Sequence, residues 1–260
     1  MSTNDSHYDD LFVAGLEWMW GEGFLSPGGP DEVAEVIGGI DIRGMEVLDI
    51  GCGIGGVDVV LVKDHGAAHV IGIDVEAPLL ARAAQIAAKN EVANQISFKL
   101  VEPGLLPFPD SSFDLVFSKD ALIHIPDKEA IYREIYRVLR PNGRLAIGDW
   151  FGSHLPPTPE YKEWLVVVDL NFAMGTLETA VSLLTNIGFH NIEAVDRNAW
   201  YAENILKELA TLQGENFQHL VARYGPELAH QRLKSSSLKK VVVDQGLLRP
   251  GHIRAARPSI

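Results

Sequence analysis

Cys52 is the single cysteine of this 260-residue chain, so no intrachain disulfide framework holds the fold. It sits inside a glycine run, which points to close packing rather than redox chemistry. Basic residues are also scarce. Only 22 Lys and Arg stand against 35 Asp and Glu, a formal net charge of -13. A nucleic-acid binder needs a basic face, so no nucleic-acid partner is expected, and Lys239-Lys240 is too short a run to change that. Long apolar stretches are missing. Trp164 to Phe172 is interrupted by Asp169 and Asn171 and is too short to span a bilayer, so no membrane partner is expected. The polar, acidic start from Met1 to Asp10 lacks the apolar core of a signal peptide, and the expected location is cytoplasmic. Paired His or Cys at ligand spacing are absent too. His65 and His69 flank a loop without further ligands, and no metal is expected. No internal repeat or coiled-coil heptad is visible, so a monomer is the default and a dimer is left open.

What is present begins with Met45-Glu-Val-Leu-Asp-Ile-Gly-Cys-Gly-Ile-Gly-Gly56, an apolar strand running into closely spaced glycines and then a helical pattern. Eighteen residues past Gly56, His69-Val-Ile-Gly-Ile-Asp74 is a short apolar strand ending in a carboxylate. Together these read as a nucleotide-binding turn. Gly51 and Gly53 let the backbone approach a ligand, and Asp74 accepts from ribose hydroxyls. Asp49 precedes the first glycine, giving Asp-x-Gly-x-Gly-x-Gly. An anion there suits a cationic or amine-bearing ligand rather than a pyrophosphate.

Along the chain, 8–20 carries a helical apolar pattern, and 21–29 breaks it. A helix over 31–38 leads to the first strand, 45–50. Helix 57–65, strand 69–74, helix 76–89 and strand 95–100 follow. Strand 112–117, helix 125–139, a turn at Pro141-Asn-Gly143 and strand 144–149 complete the alternation. This predicts an α/β fold with a doubly wound, mostly parallel sheet, ligand groups lying beyond the carboxyl ends of its strands. Asp49, Asp74, Glu102, Asp120 and Asp149 each fall at or just after such an end, with Val75, Pro103 and Lys119 as their neighbours. Asp127 reads as a helix cap. Beyond the stiff linker His154 to Pro159, helices are expected over 160–172, 177–187, 200–223 and 226–244. Strands are expected at 191–195 and 251–257. One domain over 1–260 is therefore expected. Residues 1–44 would cover the site, 45–150 would hold the cofactor, and 151–250 would form a mainly helical lid that binds the acceptor.

The stretches Leu106 to Phe117 and Val138 to Arg144, with the glycine motif and Asp74, resemble the signatures of class I methyltransferases. That resemblance implies a Rossmann-like, seven-stranded sheet and S-adenosylmethionine as cofactor, with S-adenosylhomocysteine as product. Tyr8, then Trp20-Gly-Glu-Gly-Phe-Leu-Ser-Pro-Gly-Gly29, then Phe117-Ser-Lys-Asp-Ala-Leu-Ile-His124 resemble the phosphoethanolamine N-methyltransferases more narrowly. The resemblance implies that Tyr8 and His124 form a catalytic pair, that Asp120 holds the amine, and that Ser26, Gly28 and Gly29 line the cofactor site. It places Glu102 beside the adenine. The family's phosphate-holding tyrosines and arginine fall at Trp150, Trp164, Val168 and Leu170, so phosphate is not expected to be bound as it is there. Lys234, Lys239 and Arg249 are the candidates to replace the lost cation.

These readings imply an enzyme that moves a methyl group to the amine nitrogen of a small metabolite, in one or successive steps. His124 or Tyr8 would take the amine's proton, or both would only position it. Trp20, Trp150 and Trp164 would line the acceptor pocket, where indoles attract a methylated ammonium. Asp149 would offer a second carboxylate. Trp18 reads as core. O- or C-methylation of a hydroxylated or ring-bearing metabolite is the alternative, and a nonenzymatic cofactor-binding regulator the third reading.

Overall fold

The structure, a computed structural model, describes residues 10–170 and 172–259. Tyr8, the expected partner of His124, lies outside the described residues.

Among the described residues, strands β1 (Glu46–Ile50), β2 (His69–Asp74), β3 (Ile96–Leu100), β4 (Phe113–Lys119), β5 (Leu139–Phe151), β6 (His190–Asp196) and β7 (Arg249–Ala256) form one sheet. Its order is β3-β2-β1-β4-β5-β7-β6. The first five strands are parallel, and β7 runs antiparallel between β5 and β6. Strand order reverses between β1 and β4, which opens a crevice at their carboxyl ends.

The central strands are apolar on both faces because both faces are covered. Val47 belongs to one core, with α2 (Gly29–Ile37), α3 (Gly56–Lys63) and α4 (Ala77–Lys89). Its neighbour Leu48 points the other way, into a core shared with α5 (Lys128–Val138) and α7 (Leu177–Ile187). Helices α6 (Pro159–Val168), α8 (Asn198–Thr211), α9 (Gly214–Tyr224) and α10 (Pro226–Asp244) form a separate layer in which α10 packs on the other three. Trp164, Tyr201, Ile205, Val242 and Val243 are its buried apolar centre. Helix α1 (Asp10–Trp20) joins that layer. Arg232 Nη2 donates to the Phe12 carbonyl at 2.9 Å, and the Tyr224 hydroxyl to the Ala14 carbonyl at 3.1 Å.

Several local expectations shift. The segment read as helix 125–139 becomes a short 3-10 turn at Leu122–His124 and then α5, because Pro126 forces extended backbone at Ile125 and the Asp127 carboxylate caps the helix through Ala130 N. The turn read at Pro141-Asn-Gly143 lies inside β5. Asn142 sits there at φ 64°, and the pairing register slips between Phe113 and Leu115. Helix 160–172 stops at Val168, with Asp169 left-handed at φ 52°. Helix 200–223 divides at Gly214, φ 62°. Within 151–250, α7 and β6 lie with the sheet rather than in the lid.

Candidate active site

The glycine turn follows directly from β1. Gly51 N and Cys52 N both donate to the Ile73 carbonyl, at 2.8 and 3.1 Å, and Gly53 N donates to Asp74 Oδ2 at 2.9 Å. Gly51 adopts φ 76°, and a Cβ there would lie 2.1 Å from that of Ala121, so only glycine fits. Asp74 also accepts from Glu76 N at 3.0 Å. Burial raises its carboxyl above the usual range, and these backbone donors offset only part of that rise. The Asp49 carboxyl is 1% exposed, and neither of its oxygens has a hydrogen-bond partner. Burial first, then the nearby Asp58 and Asp74, pushes it well above the usual carboxylate range. Burial also pushes Asp58 up to about 7, against a hydrogen bond from its own backbone N–H.

The second part of the site is the end of β4. Asp120 takes a left-handed φ of 55°, with its N–H donating to the Gly148 carbonyl at 2.7 Å. The buried Lys119 ammonium donates to Asp120 Oδ2 at 2.6 Å, to Ser26 Oγ at 2.7 Å and to the Pro27 carbonyl at 2.9 Å. Lys119 thereby staples the segment between α1 and α2 onto the strand end. Gly56 N, donating to the Gly23 carbonyl at 3.1 Å, ties that segment to the start of α3.

His124 ends the 3-10 turn. Lys128 Nζ donates to the Leu122 carbonyl at 2.7 Å, and Ala173 N to the Ile123 carbonyl at 2.8 Å. The second bond sets Phe172 against the imidazole, centroids 5.4 Å apart, and Phe172 in turn stacks on Trp164 at 5.5 Å. Asp149 supports the same turn by accepting from Trp150 N at 2.8 Å and from the Ile123 N–H. Burial, and then the charge of Asp120, pushes its carboxyl up to about 8.

These groups bound a cavity of about 200 Å³. Of the residues singled out from sequence, Trp20, Ser26, Asp120, His124, Trp150, Trp164 and Val168 line it. Asp149 does not; it lines a smaller recess beside the chamber, with Glu32, Trp200 and His252. Gly28 and Gly29 begin α2 with left-handed φ of 98° and 54°. Val75, Glu102 and Pro103 are exposed at the ends of β2 and β3. Trp18 is half-buried against the cluster of Leu212, Leu220 and Ala229. Of the candidate cations, Lys234 is at the surface with Glu163 and Arg249 with Asp196, whereas Lys239 reaches the chamber.

Sequence reasoning missed Phe172 and, apart from Lys239, the inner face of α10. That face has a signal. Ala229, Arg232, Ser236 and Val243 share one helical phase and are all buried, so polar side chains occupy core positions.

The residues present fit the cofactor that the resemblance implies. Unpartnered buried oxygens on Asp49 are costly, and a ligand ammonium at the turn would satisfy them. Gly53, φ 54°, and Gly51 keep the turn free of side chains. The Asp74 oxygens each retain acceptor capacity for a ribose hydroxyl beyond their backbone bonds.

Comparison with known proteins agrees. A family model described as a methyltransferase domain matches residues 41–221. A phosphoethanolamine N-methyltransferase of Triticum aestivum is 31% identical over 212 residues, covering 81% of this chain and 41% of that protein. Phosphoethanolamine N-methyltransferase 2 of Caenorhabditis elegans is 30% identical over 210 residues, covering 80% of this chain and 47% of that protein. The chain thus spans less than half the length of these relatives. A solved structure of Haemonchus contortus phosphoethanolamine N-methyltransferase 2 with S-adenosyl-L-methionine superposes with a TM-score of 0.90 at 25% identity, covering 98% of this chain and 58% of that one. With a matched family model over most of its length, the glycine turn and the sheet order all in agreement, the chain belongs to the class I, S-adenosylmethionine-dependent methyltransferases.

Proposed function

We propose that this protein methylates the amine nitrogen of a small metabolite, in one or successive steps. The observation that carries the reading is the meeting of Asp120 and His124 in the wall of one chamber beside the glycine turn. The names of the relatives support amine chemistry. When bound, S-adenosylmethionine supplies a methyl carbon already activated on a sulfonium.

The chain's own residues have the remaining tasks. Asp120, fixed through Oδ2 by Lys119, keeps Oδ1 for the acceptor's ammonium. His124, held on its turn and against Phe172, takes the proton that must leave before nitrogen can attack. Tyr8 enters as its partner on the sequence resemblance. The apolar walls from Leu16, Ile123, Trp164 and Phe172 exclude water, which lowers the ammonium's pKa toward the working pH. Alignment in a closed chamber supplies much of the remaining acceleration.

Transfer of labelled methyl from S-adenosylmethionine to panels of amines and phenols tests this. An N-methylated product is expected. A methyl ether, or cofactor binding without any transfer, refutes it. His124→Asn is expected to lower kcat about 100-fold, with cofactor affinity by calorimetry unchanged.

A further inference from the structure

The chamber combines one small polar site with a largely apolar wall. The polar site is Asp120 with His124. Most of the remaining wall comes from α1, α6, α10 and the segments that follow α1 and α6. Met19, Leu25, Val168, Leu170, Phe172 and Leu228 all line the space while only half-buried. Gly51, Gly53 and Asp74 are not part of that lining, so most of the volume is left to the acceptor. An apolar cavity of about 150 Å³ holds one benzene. A chamber of about 200 Å³ therefore has room for a ring-sized body and a short arm ending in nitrogen.

The wall's cations are committed within the protein. Among the described residues, the lysine and arginine lining the chamber are Lys239 and Arg232. Lys239 Nζ donates to Glu208 Oε2 at 3.1 Å, the two side chains being 13% and 6% exposed. Arg232 donates to the Phe12 carbonyl at 2.9 Å, lies over the Phe12 ring and takes part in further interactions. Residues 1–9 and Asn171 include no Lys or Arg. Gln231 Nε2 is spent on the Val167 carbonyl at 3.2 Å, and Ser235 and Ser236 bring hydroxyls without charge. Val168 and Leu170 offer no side-chain donor. An anionic group on the acceptor would have to draw Lys239 from Glu208 and strand a buried carboxylate, draw Arg232 from its own partners, or enter without a cation. An uncharged apolar body meets none of these costs.

We propose that the acceptor is an apolar amine, a nitrogen carried by a short arm on an uncharged body of about ring size. The nitrogen lies toward Asp120 and His124, and the body fills the space bounded by Leu170, Phe172 and Leu228. The inference rests on the amine-methylating reading above and names its substrate class.

The test measures methyl transfer, at saturating S-adenosylmethionine, to phenethylamine, hexylamine, ethylamine, phosphoethanolamine and the amino acid made from hexylamine by replacing its terminal methyl with a carboxylate. The better of phenethylamine and hexylamine is expected to show a kcat/KM at least about 30-fold above ethylamine, the gain from burying one large apolar group. The carboxylate-bearing chain is expected to fall at least about tenfold below hexylamine. Leu170→Asn and Leu228→Asn set an amide against the body and leave Asp120 and His124 in place. Each is expected to cut the ratio of phenethylamine to ethylamine about tenfold, mainly through KM, whereas general damage to the site would lower both substrates alike. Calorimetric affinity for S-adenosylhomocysteine serves as the check that each variant is folded. Use of ethylamine, the carboxylate-bearing chain or phosphoethanolamine as good as that of the apolar amines overturns the proposal while leaving amine methylation standing. So does an unchanged ratio in both folded variants. No transfer to any amine overturns the preceding reading and this one with it.

Discussion

Lys119→Met isolates one interaction on which the site's geometry depends. The Lys119 side chain is 4% exposed and its partner Asp120 16%, so the pair is screened little by water. Methionine keeps most of the length and removes the ammonium. It leaves the Asp120 carboxylate without its cation, and Ser26 Oγ and the Pro27 carbonyl without their donor. Breaking a buried pair by removing one partner costs about 3–5 kcal/mol. The residual exposure of Asp120 argues for the middle of that range, about 4 kcal/mol. In urea the midpoint should fall by roughly 1 M, given a slope of about 3 kcal/mol per M for a chain of this size. Asp120→Asn in the Lys119→Met background neutralises the stranded carboxylate, and asparagine tolerates the left-handed φ of 55° at this position. The double variant should recover about half of the loss. A drop below about 1 kcal/mol for Lys119→Met, or strict additivity of the two changes, would refute the claim that these charges act as a buried pair.

Two further outcomes follow from buried carboxyls. The Asp149 carboxyl is raised from its ordinary value to about 8 in the folded protein, so its favourable share of stability is present at low pH and is lost as pH climbs through about 8. Asp149→Asn should accordingly gain on the parent with rising pH, by on the order of 3 kcal/mol between pH 5 and 8; thermal melts whose difference does not widen with pH would count against it. Asp49→Asn removes a carboxyl whose oxygens the protein leaves unpaired, so stability should hold or rise while affinity for S-adenosylhomocysteine falls about 10- to 100-fold. Undiminished calorimetric affinity would show that Asp49 does not face the ligand's ammonium.

The part of the site nearest the sheet was legible because backbone geometry dictates residue type there. Gly51 has to be glycine to clear Ala121 at a positive φ, and Asp49, Asp74 and Asp120 stand where parallel strands must end. The apolar runs of β1 and β4 announced a sheet covered on both faces. The far wall was not legible in the same way. Trp150, Trp164 and Val168 were reached through resemblance alone. Arg232 and Ser236 become wall residues only when α10 docks on α6 and α1, a tertiary event that periodicity cannot register. Phe172 follows the end of α6 and owes its place to the bond from Ala173 N to the Ile123 carbonyl. The Pro141-Asn-Gly143 segment kept its turn chemistry, but cross-strand pairing absorbed it as an irregularity within β5.

The contacts of Phe12 and Ala14 with Arg232 and Tyr224 join segments 220 and 210 positions apart. A partly synthesised polypeptide halted after β5 would already possess the glycine turn, yet it would have no compartment for an acceptor. On the function proposed above, methyl donor and methyl recipient would be housed by portions of the molecule that emerge at different times. The compartment exists only once the last helix has folded back onto the first.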